Sequence, residues 1–156
     1  MEIKPTRGIG GFEIFPLLLI PVAIYNLIAL FSGNPAPGST VSPAVAAIRS
    51  EALGLPMLSG THLSVSWGDL LLLLAIVLLL VEVIKSARTA SPAIINHMLS
   101  FGLFIVCFVE FLLFRSFASS AFFLITMIVL LDALAGMVVT IISARRDLDV
   151  GGMTTS

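Results

Sequence analysis

The stretch MIVLLDALAGMVVT, residues 127–140, sets one carboxyl group, Asp132, inside a run that otherwise has the composition of a helix in hydrocarbon. Whether that run lies in a bilayer decides the fold. Hydrophobic residues make up 58% of the 156 positions and charged residues 11%, a mixture too apolar for a soluble domain to cover its core with polar surface. Four runs, at 12–31, 68–84, 93–114 and 121–143, are each long enough to cross about 30 Å of hydrocarbon at a helical rise of about 1.5 Å per residue. The expected fold is therefore all-α. Residues 1–156 read as a single membrane domain, an integral bundle of four transmembrane helices with a partly helical exterior loop at 32–66.

Basic residues set the expected orientation. Lys4 and Arg7 precede the first run, Lys85 and Arg88 separate the second and third, and Arg145 and Arg146 follow the fourth; only Arg49 and Arg115 fall in the alternate loops. The positive-inside rule then places both termini in the cytoplasm and the long loop outside, with the bacterial inner membrane as the location. The first run follows two cations but is longer than a secretory h-region and lacks a small-x-small cleavage site, so it reads as a retained anchor. A net charge of −1 offers no surface for nucleic acid. One cysteine, Cys107, permits neither an internal disulfide nor a thiolate metal cluster.

Local signals punctuate the chain. Pro16 and Pro21 predict a kink in the first span, leaving the carbonyls of Phe12 and Leu17 to be satisfied by other groups. In the loop, Ser42 as N-cap, Pro43 at the first helical position and Gly54 at the stop predict a short amphipathic helix. That helix either lies on the outer membrane surface or packs over the bundle end. The alternation in THLSVSW, residues 61–67, permits a short strand. Ser66 and Asp69 form the S-x-x-D pattern of a capping box at the start of the leucine run, where Trp67 suits an interfacial anchor. The second span reads as lipid-facing, having few small or polar residues before Glu82. The tail from Arg145 reads as short, polar and mobile.

Asp132 lies about 16 Å from either end of its run, near the midplane. An acid there costs on the order of 3 kcal/mol on insertion scales and needs a partner. Tyr25 and Asn26, at similar depth on the first span, are the expected partners. Gly136 and Thr140 continue the face of Asp132 as a small and polar stripe that lets helices approach closely. His97, about 6 Å from the cytoplasmic end of its span, reads as too distant in depth for direct contact. Glu82 and Glu110 sit toward opposite ends of their spans, where each can snorkel or pair locally, with Lys85 and Arg115 respectively. Phe101, Phe104, Phe108 and Phe111 recur at helical spacing, with His97 and Arg115 extending the stripe; packing explains them, and a pigment, quinone or lipid tail is the alternative. His97 is thus the one cofactor-binding candidate, but a second intramembrane histidine for a bis-histidine haem is missing, and the chain is read as cofactor-free and metal-free.

The stretches WGDLLLLLAIVLLLVEVIK, residues 67–85, and ISARRDLDV, residues 142–150, resemble a group of small, uncharacterised four-span bacterial inner-membrane proteins. The resemblance would cover most of the chain and implies no activity. Small multidrug resistance transporters share the span count, but they carry an acid well inside the first span, where this chain has only Glu13 near its cytoplasmic end, and their loops are shorter.

Two roles are open. The first is a non-catalytic accessory or scaffold subunit of a larger membrane assembly, with membrane lipids and other integral subunits or further copies of itself as partners. The second is a small oligomeric proton- or cation-coupled carrier or channel that uses Asp132, with Glu110 and Glu82 as outer and inner stations.

Overall fold

The computed structural model describes residues 15–86 and 91–152, with side chains at 15–85, 95–138 and 141. Lys4, Arg7, Glu13 and Arg88, and the side chains of Thr140, Arg145 and Arg146, lie outside the described residues. The described elements are α1 (Leu19–Phe31), α2 (Pro43–Arg49), β1 (Glu51–Pro56), β2 (His62–Ser66), α3 (Trp67–Ser86), α4 (Ser91–Leu113), a single 3-10 turn (Arg115–Phe117) and α5 (Ser120–Gly152). Three of them contain stretches long and apolar enough to cross a membrane: Trp67–Lys85, Ile95–Leu113 and Ser120–Val138.

Helix α5 is the enclosed member of the bundle, with 44% of its apolar stretch buried against 22% in α3 and 28% in α4. Its inward positions are Ala121, Phe122, Ile125, Thr126, Val129, Asp132 and Ala133, spaced three and four apart, so one face points at the neighbouring helices along the whole span. Leu103 and Cys107 of α4 and Leu71 and Ala75 of α3 pack against that face. Because hydrocarbon outside is as apolar as the core inside, close packing holds such helices together more than apolar burial does. Gly68 shows how close the approach is: a Cβ there would stand 3.0 Å from both the Ala121 Cβ and the Ile48 Cγ2. The second span is thus not wholly lipid-facing. Gly68, Leu71, Ala75 and Glu82 make an inward stripe on it, and its other faces, with Leu73, Ile76, Val77 and Leu80, point outward.

The first apolar run departs from expectation. Its helix has 13 residues, about 20 Å in length, short of a full crossing. Pro21 falls in the first helical turn, where a backbone donor has no intrahelical partner to lose, so it starts the helix and does not kink it. The Leu17 carbonyl accepts from the Ile20 N–H at 3.0 Å and the Pro16 carbonyl from the Leu19 N–H at 3.1 Å.

The loop is partly helical, and the strand permitted at 61–67 forms, with a partner strand in place of the expected continuation of the helix to Gly54. Helix α2 starts after Ser42 with Pro43 at its first position as expected, but the Ser42 hydroxyl bonds to Ser116 Oγ at 3.1 Å and does not cap the helix. The helix ends at Arg49 because Ser50 turns extended and its hydroxyl donates to the Ala47 carbonyl at 2.7 Å. Glu51–Pro56 then pairs antiparallel with His62–Ser66. The helix-favouring Glu-Ala-Leu start of β1 is overridden by strand pairing, with Gly54 and Pro56 opposing helix in any case. Gly60, at φ +82°, makes the turn, and the Trp67 N–H donating to the Ser50 carbonyl at 3.2 Å closes the hairpin base. The described chain is thus mostly helical, with a small two-stranded sheet added in the loop.

Buried Ala44, Val45 and Ile48 show that α2 packs over the end of the bundle. Ser66 and Asp69 form the capping box: the Asp69 carboxylate accepts from the Ser66 N–H at 2.8 Å, and the Asp69 N–H donates to the Ser66 hydroxyl at 3.2 Å. At the other extreme, α5 continues as helix to Gly152, so most of the segment expected to be a mobile tail is helical backbone.

Candidate functional site

The first turns of α3 and α5 and the last turn of α4 meet near the hairpin, so depth along each helix can be counted from that end. At about 1.5 Å per residue, Glu82 lies about 22 Å from the start of α3, Asp132 about 18 Å from the start of α5, and Ser100 and Asn96 about 20 and 26 Å from the end of α4. These residues share one level, well away from the hairpin. All are buried: Glu82, Asn96 and Ser100 have no exposed surface, Asp132 has 1% and His97 has 7%. An apolar bundle thus encloses a polar cluster contributed by all three long helices.

One half of the cluster is fully bonded. Lys85 Nζ pairs with Glu82 Oε1 at 2.6 Å, one turn along α3. The Asn96 side-chain amide donates to the same oxygen, and the Leu17 N–H donates to Glu82 Oε2 at 2.7 Å. Lys85 also donates to the Phe15 carbonyl at 2.9 Å. Glu82 therefore does not snorkel. It stays buried because a cation and two N–H donors compensate its charge, and in doing so it clasps the chain leading into α1 to α3 and α4.

The other half surrounds Asp132. The Ser100 hydroxyl lies beside its carboxyl, and Glu82, His97 and Lys85 are within electrostatic range. Yet Asp132 Oδ2, Ser100 Oγ and Asn96 Oδ1 have no hydrogen-bond partner among the described residues. Gly136, one turn further along α5, receives the His97 ring: a Cβ built there would fall 1.8 Å from His97 Cγ and 2.1 Å from Nδ1. At Gly136 the group that comes close is the His97 ring. His97 therefore stands one helical turn from Asp132, nearer than depth counting along the separate spans indicated.

Tyr25 and Asn26 do not partner Asp132. Tyr25, fully buried, bonds through its hydroxyl to Ser119 Oγ at 2.8 Å and to the Ser116 carbonyl at 3.2 Å, with its ring against Phe117 and Phe122 at 5.5 and 4.7 Å. Asn26 donates to Glu110 Oε2 at 3.2 Å and to the Val22 carbonyl at 3.2 Å. Because α1 begins only at Leu19, both residues sit nearer the hairpin end than a helix starting at residue 12 would place them. Glu110 accordingly meets Asn26, not Arg115, on the rim of a shallow cleft of about 280 Å³ also lined by Ala29, Leu30, Phe114, Ser116 and Phe117.

The phenylalanine stripe divides in two. Phe104 and Phe111 pack toward the core while Phe101 and Phe108 face outward, with Phe104 and Phe108 stacked at 5.7 Å and Phe111 against Phe123 at 5.6 Å. Ring-to-ring packing thus accounts for the stripe.

Sequence reasoning missed Asn96, Ser100 and Ser119. The first two were visible as polar residues one turn apart beside His97, and the third as the serine before α5, where its hydroxyl accepts from the Phe122 N–H at 3.1 Å as an N-cap. Neither a family model, nor a curated protein, nor a solved structure matches the chain, and the resemblance to small four-span membrane proteins finds no support there.

Proposed function

We propose that the chain is a four-span bacterial inner-membrane protein in which α1 and the residues ahead of Leu19 together make the first crossing, one membrane domain with both termini cytoplasmic, acting as a non-catalytic accessory or scaffold subunit of a larger membrane assembly. The hairpin carries this reading. Its register pairs Leu53 with Val65 and Leu55 with Leu63 on one face, and Met57 and Leu58 form its tip. Leu53, Leu55, Leu63, Met57 and Leu58 are all exposed, Leu58 completely. Lipid tails account for apolar side chains on the long helices, but this face lies beyond the spans, where contiguous apolar surface marks a contact site. A two-stranded hairpin is only marginally stable by itself, and a partner on that face stabilises it. Purification in a mild detergent tests the proposal. A Leu55→Ser, Leu63→Ser double variant with an unchanged melting temperature is expected to lose the co-purifying subunit, and undiminished recovery would sink the reading.

A second reading, a proton- or cation-coupled carrier using Asp132, is favoured by the oxygen atoms left without partners around that carboxyl. Flux into proteoliposomes that disappears in Asp132→Asn, with assembly intact, supports it.

A further inference from the structure

The unbonded half of the polar cluster has a definite composition. Its three oxygens without a partner among the described residues, Asp132 Oδ2, Ser100 Oγ and Asn96 Oδ1, belong to residues at most 1% exposed, and the His97 ring stands beside them against Gly136. Asn96 and Ser100 are one turn apart on the same face of α4, and Ser100 abuts Asp132 across the α4–α5 contact. The Asn96 amide nitrogen is committed to Glu82, which fixes its oxygen on the other side.

Within this trio donors fall short of acceptors. An ionised aspartate and the asparagine oxygen only accept, and the serine hydroxyl has a single hydrogen to give. Charge matters as well. Among the described residues Glu82 and Lys85 pair with each other and His97 is the other titratable group beside Asp132, so with a neutral imidazole the carboxylate is a buried charge without a counterion of its own, a state that is strongly disfavoured. The titratable groups facing Asp132 are Glu82 and Lys85 from α3 and His97 from α4; the described chain leading into α1 contributes only backbone groups at Phe15 and Leu17. One added unit of positive charge presented to three oxygens repairs both deficits. Oxygen ligands select a hard cation.

We infer that Asp132, Ser100 and Asn96 form a binding site for one exchangeable monovalent cation, charge-balanced beside the Glu82–Lys85 pair. A proton on Asp132, relayed through the Ser100 hydroxyl to the Asn96 oxygen, and a sodium ion held by all three oxygens supply the same charge. The inference deepens the carrier reading and shares its premise that Asp132 is functional, but binding is required whether or not net transport follows.

Carbodiimide modification of the purified full chain, read at Asp132 by mass spectrometry, tests it, since the reagent attacks the protonated carboxyl. A sodium site predicts that NaCl at fixed pH slows modification by about tenfold or more where potassium chloride does not. A proton site predicts that modification of Asp132 continues at pH values where exposed Glu51 of the same chain has stopped reacting, with no effect of sodium. In either case Ser100→Ala and Asn96→Leu weaken the response. A rate that follows Glu51 in its pH dependence and ignores sodium overturns the inference. Where the carboxyl is too enclosed to react, the melting temperature decides: wild type responds to sodium or acid and Asp132→Asn does not, and equal responses overturn the site. Binding without flux leaves this inference standing and removes the carrier.

Discussion

The imidazole of His97 occupies the space a side chain at Gly136 would need, with ring atoms 1.8–2.3 Å from where a Cβ would stand. Gly136→Ala must displace either the ring or helix α5. The expected cost is about 1–3 kcal/mol, the usual range for overpacking a close contact. Thermal unfolding in detergent measures it. A Gly136→Ala, His97→Ala double variant should recover most of the loss, and additive losses would show that the two residues do not share the space.

Breaking the Glu82–Lys85 pair by Glu82→Leu should destabilise by about 3–5 kcal/mol, because it leaves a lysine with 9% exposed side chain without its carboxylate and removes the acceptor of the Leu17 N–H. Replacing both residues by Met should be milder than the single change. Equal losses in the two variants, in chemical unfolding from detergent, would contradict the pairing.

Tyr25→Phe keeps the ring stack and removes the hydroxyl that bonds to Ser119 and Ser116. A loss of about 1 kcal/mol is expected. Ser119→Ala should cost more, since it also uncaps α5, by about 0.5–2 kcal/mol for the cap. Amide exchange over residues 115–122 should accelerate in both variants, and unchanged exchange would separate Tyr25 from the turn.

Orientation is open to labelling. Ser59→Cys, at the hairpin turn, should react with a membrane-impermeant maleimide added to intact cells, while the native Cys107, buried with no exposed surface, stays silent. Reaction of Ser59→Cys only after lysis would reverse the proposed topology.

Much of the architecture was legible because it depends on position along the chain. The three long spans, the Ser66–Asp69 capping box, the Ser42–Pro43 helix start and the burial of Asp132 follow from composition and local spacing. What failed depends on rotation about helix axes and on where α1 begins. Residue counting gave Tyr25 and Asn26 the depth of Asp132 on the premise of a helix starting at residue 12, and a start at Leu19 moves them to the hairpin end. Nothing in local spacing shows that Asn96 and Ser100 face α5, nor that residues 51–56 find a strand partner in place of a further helical turn.

The clasp at residues 15–17 bears on how the protein is made. Leu19–Phe31 is too short to settle across a bilayer unaided, and the backbone just ahead of it depends on Glu82 and Lys85, side chains synthesised some seventy residues later. The segment at 15–17 is therefore translated well before the side chains that hold it, and it reaches its final place only once α3 has arrived.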